Sequence, residues 1–262
     1  MKSDFHMHTN FSFDSATSPE QQVEKAIELG LETICFTDHH DYGYPQFELD
    51  MLPYIAYMQK LQETYKDQIS IRIGVELGMQ PSMKDYAYQL ENFYPLDFTI
   101  GSIHFIDGKD PYEGDFFEGK TDEEAYREAL EYILQCVQNV SGFDVLGHVD
   151  YVVRYGKERE KLYSYQKYAD IIDEMLKTLV DKGKGLELNM AGLKYGLPFA
   201  HPHPDILKRY RELGGEIITV GSDGHCPEHI AYQFEKANDI LKDCGFSYYT
   251  EFRKHKPIFK RL

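Results

Sequence analysis

Lys2-Ser3-Asp4-Phe5-His6-Met7-His8 opens the chain with a β-rich run that ends in two histidines. Residues two apart on a strand face the same side, so His6 and His8 can hold one metal ion together. Taken alone the pair is a weak signal, because histidines at this spacing also occur as half-buried polar neighbours. Its weight comes from repetition. Further β-rich runs read at Thr33–Thr37, Ser70–Glu76, Phe98–Ile103, Asp144–His148, Gly185–Asn189 and Glu216–Gly221. Metal-binding side chains stand at or just beyond the carboxyl ends of nearly all of them. His39 follows Thr37-Asp38, Glu76 closes its run, and His104 follows Gly101-Ser102-Ile103. His148 precedes Asp150, and Asp223 and His225 follow Gly221-Ser222, while Asp14 lies in the loop after the first run.

Between the runs, Pro19–Leu29, Asp122–Val140, Tyr165–Asp181, Pro204–Leu213 and His229–Asp243 carry apolar residues at spacings near three and four. Helices that cover a sheet have this period. Ser18-Pro19-Glu20 supplies an N-cap, a first-turn proline and a first-turn acid, and Gly30 stands where a helix end favours glycine. The alternation of strand and helix favours an α/β fold whose parallel sheet closes into a barrel, although an open doubly wound sheet has the same signature on pattern alone. In a barrel the carboxyl ends of all strands meet on one face, where active sites are built. The Gly245–Leu262 tail is expected to add a last strand at Ser247–Phe252.

Six of the eleven histidines stand at these ends with three carboxylates beside them. Burying so many polar groups without compensation would be costly, so the pattern points to a multinuclear metal centre. The 262 residues suit one domain over 1–262. Acidic residues outnumber basic ones 44 to 28, for a formal charge of -16. Such a surface repels phosphate backbones, so no nucleic-acid partner is expected. The basic run Arg253-Lys254-His255-Lys256 is expected to be solvated. With no apolar run long enough for a membrane and no secretory leader pattern, no membrane partner and a cytoplasmic location are expected. Cys35, Cys136, Cys226 and Cys244 form no CxxC pair and read as free thiols.

These residues together resemble the PHP (polymerase and histidinol phosphatase) family, and within it the histidinol-phosphate phosphatase branch. The family's DxHxH motif stands as Asp4, His6 and His8, its TDH as Thr37-Asp38-His39, its GHxD as Gly147–Asp150 and its last motif as Ser222–His225. Leu186-Glu187-Leu188-Asn189 before Gly192-Leu193, and Gly221-Ser222-Asp223 before His225, match the branch. The likeness runs in order over nearly the whole chain, with all nine ligand positions filled.

The resemblance implies a distorted (β/α)7 TIM-like barrel with three divalent ions, zinc, manganese or iron, at its C-terminal face. His6, His8, Glu76 and Asp223 would hold the first ion. Glu76 would bridge to a second, completed by His104 and His148, and Asp14, His39 and His225 would hold the third. Some members have His in place of Asp14, and an oxygen ligand suits a harder ion such as manganese or iron. The implied reaction is hydrolysis of L-histidinol phosphate to L-histidinol and phosphate, in histidine biosynthesis, by a hydroxide bridging two ions. Three divalent ions and three ligand carboxylates leave a surplus of about +3 for a phosphate dianion.

On this reading Glu76, Asp223 and His225 are central to catalysis, and His40 and Asp150 assist by orienting ligands or serving the leaving alcohol. Arg154, after the fifth strand, is the expected phosphate contact. Lys194 stands where the branch has Arg, and Asn189 is a further substrate contact. In the loop Ile106–Lys120, Glu113 and Phe117, with Tyr112, Asp115 and Phe116, can cradle an imidazole and an ammonium. His201 and His203 read as surface residues. The nearest rival is another small phosphate ester on the same site, such as a nucleotide bisphosphate. A carbon–nitrogen hydrolase would call for a bridging lysine at a strand end, which is missing. An inactive accessory module would not keep the full ligand set.

Overall fold

The computed structural model describes residues 1–262. In chain order the main sheet contains β1 (Ser3–Met7), β2 (Thr33–Phe36), β3 (His39–His40), β4 (Ser70–Gly78), β5 (Phe98–Ser102), β6 (Val145–Leu146), β7 (Gly185–Asn189) and β8 (Ile218–Gly221). Seven of these run in the order β1-β2-β4-β5-β6-β7-β8, every neighbouring pair parallel, and β3 pairs with β4 beside β2. The seven expected strands are all present. The second expected strand is found as β2, and the chain rejoins the sheet as the short β3 after Asp38 leaves it. Its buried carboxylate accepts hydrogen bonds from Thr9 N at 2.7 Å and Ser12 Oγ at 2.7 Å, pinning the loop after β1.

The sheet curls until its first and last strands meet, which settles barrel against open sheet. Beyond the end of β8, the amide of His8 donates to the Gly224 carbonyl at 2.9 Å and Ser222 N donates to the Asp4 carboxylate at 3.0 Å. Ala231 N donates to the second Asp4 oxygen at 2.9 Å. The motif aspartate thus closes the barrel seam while the histidines that follow it face the centre.

The covering helices are α1 (Pro19–Glu28), α2 (Met51–Tyr65), α3 (Lys84–Phe93), α4 (Asp122–Asn139), α5 (Ala169–Asp181), the short α6 (Ala191–Lys194), α7 (Pro204–Glu212) and α8 (Phe234–Asp243). Reciprocal capping boxes, Ser18 with Gln21 and Thr121 with Glu124, start α1 and α4. Two helices begin later than their periodicity predicts. Residues 165–168 wind as a 3-10 turn before α5, and Gln233, at φ 52°, sets the chain direction before α8. None of the helices is long and apolar enough to cross a membrane. All four cysteines are free.

The tail forms the expected strand as β9 (Tyr248–Arg253), but it pairs antiparallel with β10 (Lys256–Arg261), not with the barrel. Phe252 of β9 packs with Phe5, Cys35, Phe98, Ile100 and Val145, plugging the barrel at the end away from the histidines. The expected solvated basic run is the hairpin turn. Arg253, Lys254 and Lys256 are exposed, but the His255 ring turns in and hydrogen-bonds the Asp144 carboxylate at 2.9 Å.

Candidate metal centre

Glu76, fully buried on β4, is the hub of the site. It lies in register with His39 of β3 and Ile100 of β5. Its two oxygens face different partners. Oε2 lies 3.2 Å from His6 Nε2, 3.5 Å from His8 Nε2 and 3.0 Å from His39 Nδ1. Oε1 lies 2.8 Å from His148 Nε2 and 3.3 Å from His104 Nε2. Asp223 Oδ1 completes the first group at 3.4 Å from His8 Nε2 and 3.8 Å from His6 Nε2. Asp223 itself adopts φ 54°, a left-handed conformation that Asp tolerates better than most residues. A third group forms where Asp14 Oδ2 approaches His225 Nε2 at 3.0 Å and His39 Nε2 at 3.5 Å, with the His8 ring stacked on His225.

These atoms are close together yet unsatisfied. His6 Nε2, His8 Nε2, His39 Nδ1, Glu76 Oε2 and His225 Nε2 are buried without a hydrogen-bond partner. Burial together with the neighbouring His225 and His39 rings holds His8 well below the ordinary imidazole range, leaving it neutral with a lone pair free. Burial works against the charge on Glu76, but the His6, His104 and His39 imidazoles hold its pKa well below the carboxylate range. Ligands set tetrahedrally around an ion at roughly 2.0–2.2 Å lie roughly 3.3–3.6 Å from one another. The 3.2–3.8 Å edges among His6, His8, Glu76 and Asp223 fit that spacing. Three residue groups can therefore hold a metal ion: His6–His8–Glu76, His39–Glu76–His104 and His8–His39–His225.

Above this floor opens a cavity of about 590 Å³. Its walls carry Arg154, Arg159, Tyr151, Tyr155 and Tyr195 together with Phe13, Phe47, Phe105, Asp110, Tyr112 and Glu113. The Arg154 guanidinium lies against three aromatic rings, 4.4 Å from the centroid of Tyr195 and 5.2 Å from that of Tyr151. Its Nε is buried without a partner.

Residues 4–191 match the model of the PHP domain. The chain belongs to the PHP family. Among PHP relatives, the histidinol-phosphatase of Lactococcus lactis subsp. lactis is 37% identical over 249 residues, covering 94% of this chain and 92% of its own. The Clostridium acetobutylicum protein named "Probable histidinol-phosphatase" is 32% identical, over 99% of this chain and 97% of its own. The crystal structure of the Lactococcus lactis histidinol phosphate phosphatase, complexed with zinc, L-histidinol and phosphate, superposes with a TM-score of 0.90 at 36% identity, covering 98% of both chains.

All nine expected ligands of the PHP motif set, His6, His8, Asp14, His39, Glu76, His104, His148, Asp223 and His225, converge on this one centre. Arg154 and Glu113 reach the cavity as expected. Five other residues do not. His40 has both ring nitrogens engaged elsewhere, with Leu49 N at 3.0 Å and the Tyr86 hydroxyl, off the cavity wall. Asp150 is buried against His201 Nδ1 at 2.6 Å and His203 N at 2.7 Å, off the cavity wall. Asn189 is fully buried off the cavity wall and donates to Glu187 at 3.2 Å. Lys194 donates its ammonium to the Asp223 carbonyl at 2.8 Å and braces that loop. Phe117 packs edge-on against Phe116 and Tyr126 and supports the wall without lining it. His201, expected at the surface, is fully buried as the partner of Asp150.

The sequence reading also missed partners of the ligands. Asp41 accepts from His104 Nδ1 at 2.9 Å, and Ser12 lies 3.1 Å from His8 Nδ1 while donating to Asp38. A histidine ligand wants an acceptor on its other nitrogen. That rule calls for an acceptor near each imidazole, but the positions of these acceptors follow only from the folded chain.

Proposed function

We propose that this chain hydrolyses L-histidinol phosphate to L-histidinol and phosphate, as a cytoplasmic step of histidine biosynthesis. The observation that carries this reading is a cavity with nine converging His, Asp and Glu side chains at its floor and the Arg154 guanidinium, free of any carboxylate, in its wall. The likeness to the Lactococcus lactis phosphatase with zinc, L-histidinol and phosphate supports the same substrate. The barrel works as one domain over 1–262, since β8, Asp223 and His225 lie beyond the matched 4–191.

The nine residues are read as holding two to three divalent ions, with Glu76 shared between two of them. Such ions, when bound, supply positive charge and Lewis acidity for a phosphoryl group. The chain's own residues do the rest. Arg154, held by ring faces and free of any carboxylate, keeps its charge for a phosphate dianion and can meet two oxygens at once. Asp110 and Glu113 stand ready for an ammonium, and the Phe47 and Phe105 rings, 5.5 Å apart in the cavity wall, offer a surface for an imidazole. Carboxylates in this wall disfavour a second phosphate group, which weighs against a nucleotide bisphosphate.

Steady-state kinetics on histidinol phosphate and a simple aryl phosphate separate these roles. Arg154→Ala should lower kcat/KM on both alike, by roughly ten- to hundred-fold for a lost charged hydrogen bond of about 1.5–3 kcal/mol. Glu113→Gln should hurt only the aminated substrate. Loss confined to one substrate for Arg154→Ala would overturn its assignment to the phosphate.

A further inference from the structure

Glu187 lies on β7 beneath the cluster and is 1% exposed, and no step above uses it. Its Oε1 is 2.5 Å from Nδ1 of His6. Its Oε2 accepts from the backbone N–H of His148 at 3.1 Å and from Nδ2 of Asn189 at 3.2 Å. The His6 imidazole is its only ion-pair partner, so this carboxylate is not tied down by any Lys or Arg.

The end of the neighbouring β8 is emptied to admit it. A Cβ on Gly221 would stand 2.4 Å from Oε1 and 2.3 Å from the Cβ of His6. A Cβ on Gly147 would stand 2.4 Å from Ser102 Oγ and 3.4 Å from Oε2. Glycine before the Ser222-Asp223 turn thus leaves the room that the Glu187 carboxylate and the His6 side chain occupy, whereas the space at Gly147 is filled by Ser102 and Ile100.

We propose that Glu187 is a positioning residue for the metal centre, holding His6 as the Nδ1-protonated tautomer and fixing the His148 backbone to it. The inference rests on reading His6 and His148 as ligands. A carboxylate can only accept, so the His6 proton sits on Nδ1 and the Nε2 lone pair points at Glu76 and Asp223. The same side chain grips the strand end that delivers His148. One buried carboxylate therefore sets the geometry of ligands on both sides of Glu76. Glutamine in its place has the same size, but its amide can donate to Nδ1 and turn the His6 proton toward the ions.

The test is metal affinity, measured by competition between apo-protein and a chromogenic chelator for Zn²⁺, together with the visible spectrum of the Co²⁺-loaded protein. Glu187→Gln should keep the wild-type circular dichroism, bind Zn²⁺ ten- to hundred-fold more weakly, and shift the Co²⁺ bands. Wild-type affinity and spectrum in Glu187→Gln, alongside lost metal in Glu76→Gln, would overturn the role of Glu187 and leave the ligand reading standing. Undiminished metal binding by Glu76→Gln would overturn the ligand reading and this proposal with it. Nitrogen-15 NMR of the zinc-loaded wild type needs no variant: Nδ1-protonated His6 supports the proposal and Nε2-protonated His6 overturns it.

Discussion

Glu76 faces five imidazoles with one carboxylate, and its two oxygens divide them into separate groups. Neutralising it should disturb both groups together. Glu76→Gln is expected to lose nearly all turnover and most bound metal. His203→Ala is expected to keep its turnover, because that side chain caps α7 through Asp205 N and stands off the cavity, and to lose only about 1 kcal/mol of stability. Comparable turnover in the two variants would contradict the ligand assignment. The convergence of the nine side chains was legible in the sequence because all stand at, or in the loops just beyond, strand ends that meet on one face. The roles of the other loop residues were not. Arg154 and Lys194 look alike on paper, yet one is presented by three tyrosine-ring faces and the other is drawn down onto the Asp223 carbonyl. His40, adjacent to a ligand, turns away because Leu49 and Tyr86 claim its nitrogens.

At the scale of elements, periodicity and caps revealed the seven barrel strands and five of the covering helices, but not α2 or α3, and the closing hairpin was only half visible. The β9–β10 turn has Lys254 and His255 at φ 51° and 57°, a conformation usually signalled by Asn or Gly. It is held by tertiary contacts instead: Lys254 N donates to the Asp97 carboxylate at 3.1 Å, and the His255 ring bonds Asp144. Burial opposes a charge on His255, yet Asp144 raises it above its ordinary 6.5. A raised histidine stabilises the fold fully below pH 6.5 and loses that contribution as pH climbs through the folded value. Tm measured against pH should therefore show wild type furthest above His255→Asn in mild acid, with the gap narrowing past neutrality. A gap that widened in alkali would contradict the pairing. Phe252→Ala, which empties the plug, should cost about 3–5 kcal/mol in denaturant unfolding at any pH.

Across the whole molecule, the barrel separates two tasks. Its far end is closed by an apolar plug, and its carboxyl end gathers polar atoms that nothing in the chain satisfies. A chain of formal charge -16 concentrates unpartnered imidazoles and the guanidinium groups of Arg154 and Arg159 around that cavity, where a phosphate dianion would otherwise be repelled. Metal removal should accordingly abolish activity and lower Tm, because ions bound only by the folded state stabilise it by mass action. Phosphate release from L-histidinol phosphate, followed before chelation, after chelation and after readdition of Zn²⁺, Mn²⁺ or Fe²⁺, puts these strands to one test. The expected result is negligible release by the chelated protein, recovery with metal, and a kcat/KM at least about tenfold above that for a simple aryl phosphate, or about 1.4 kcal/mol of transition-state binding. Release that survives complete chelation, or equal efficiency on the two esters, would contradict it.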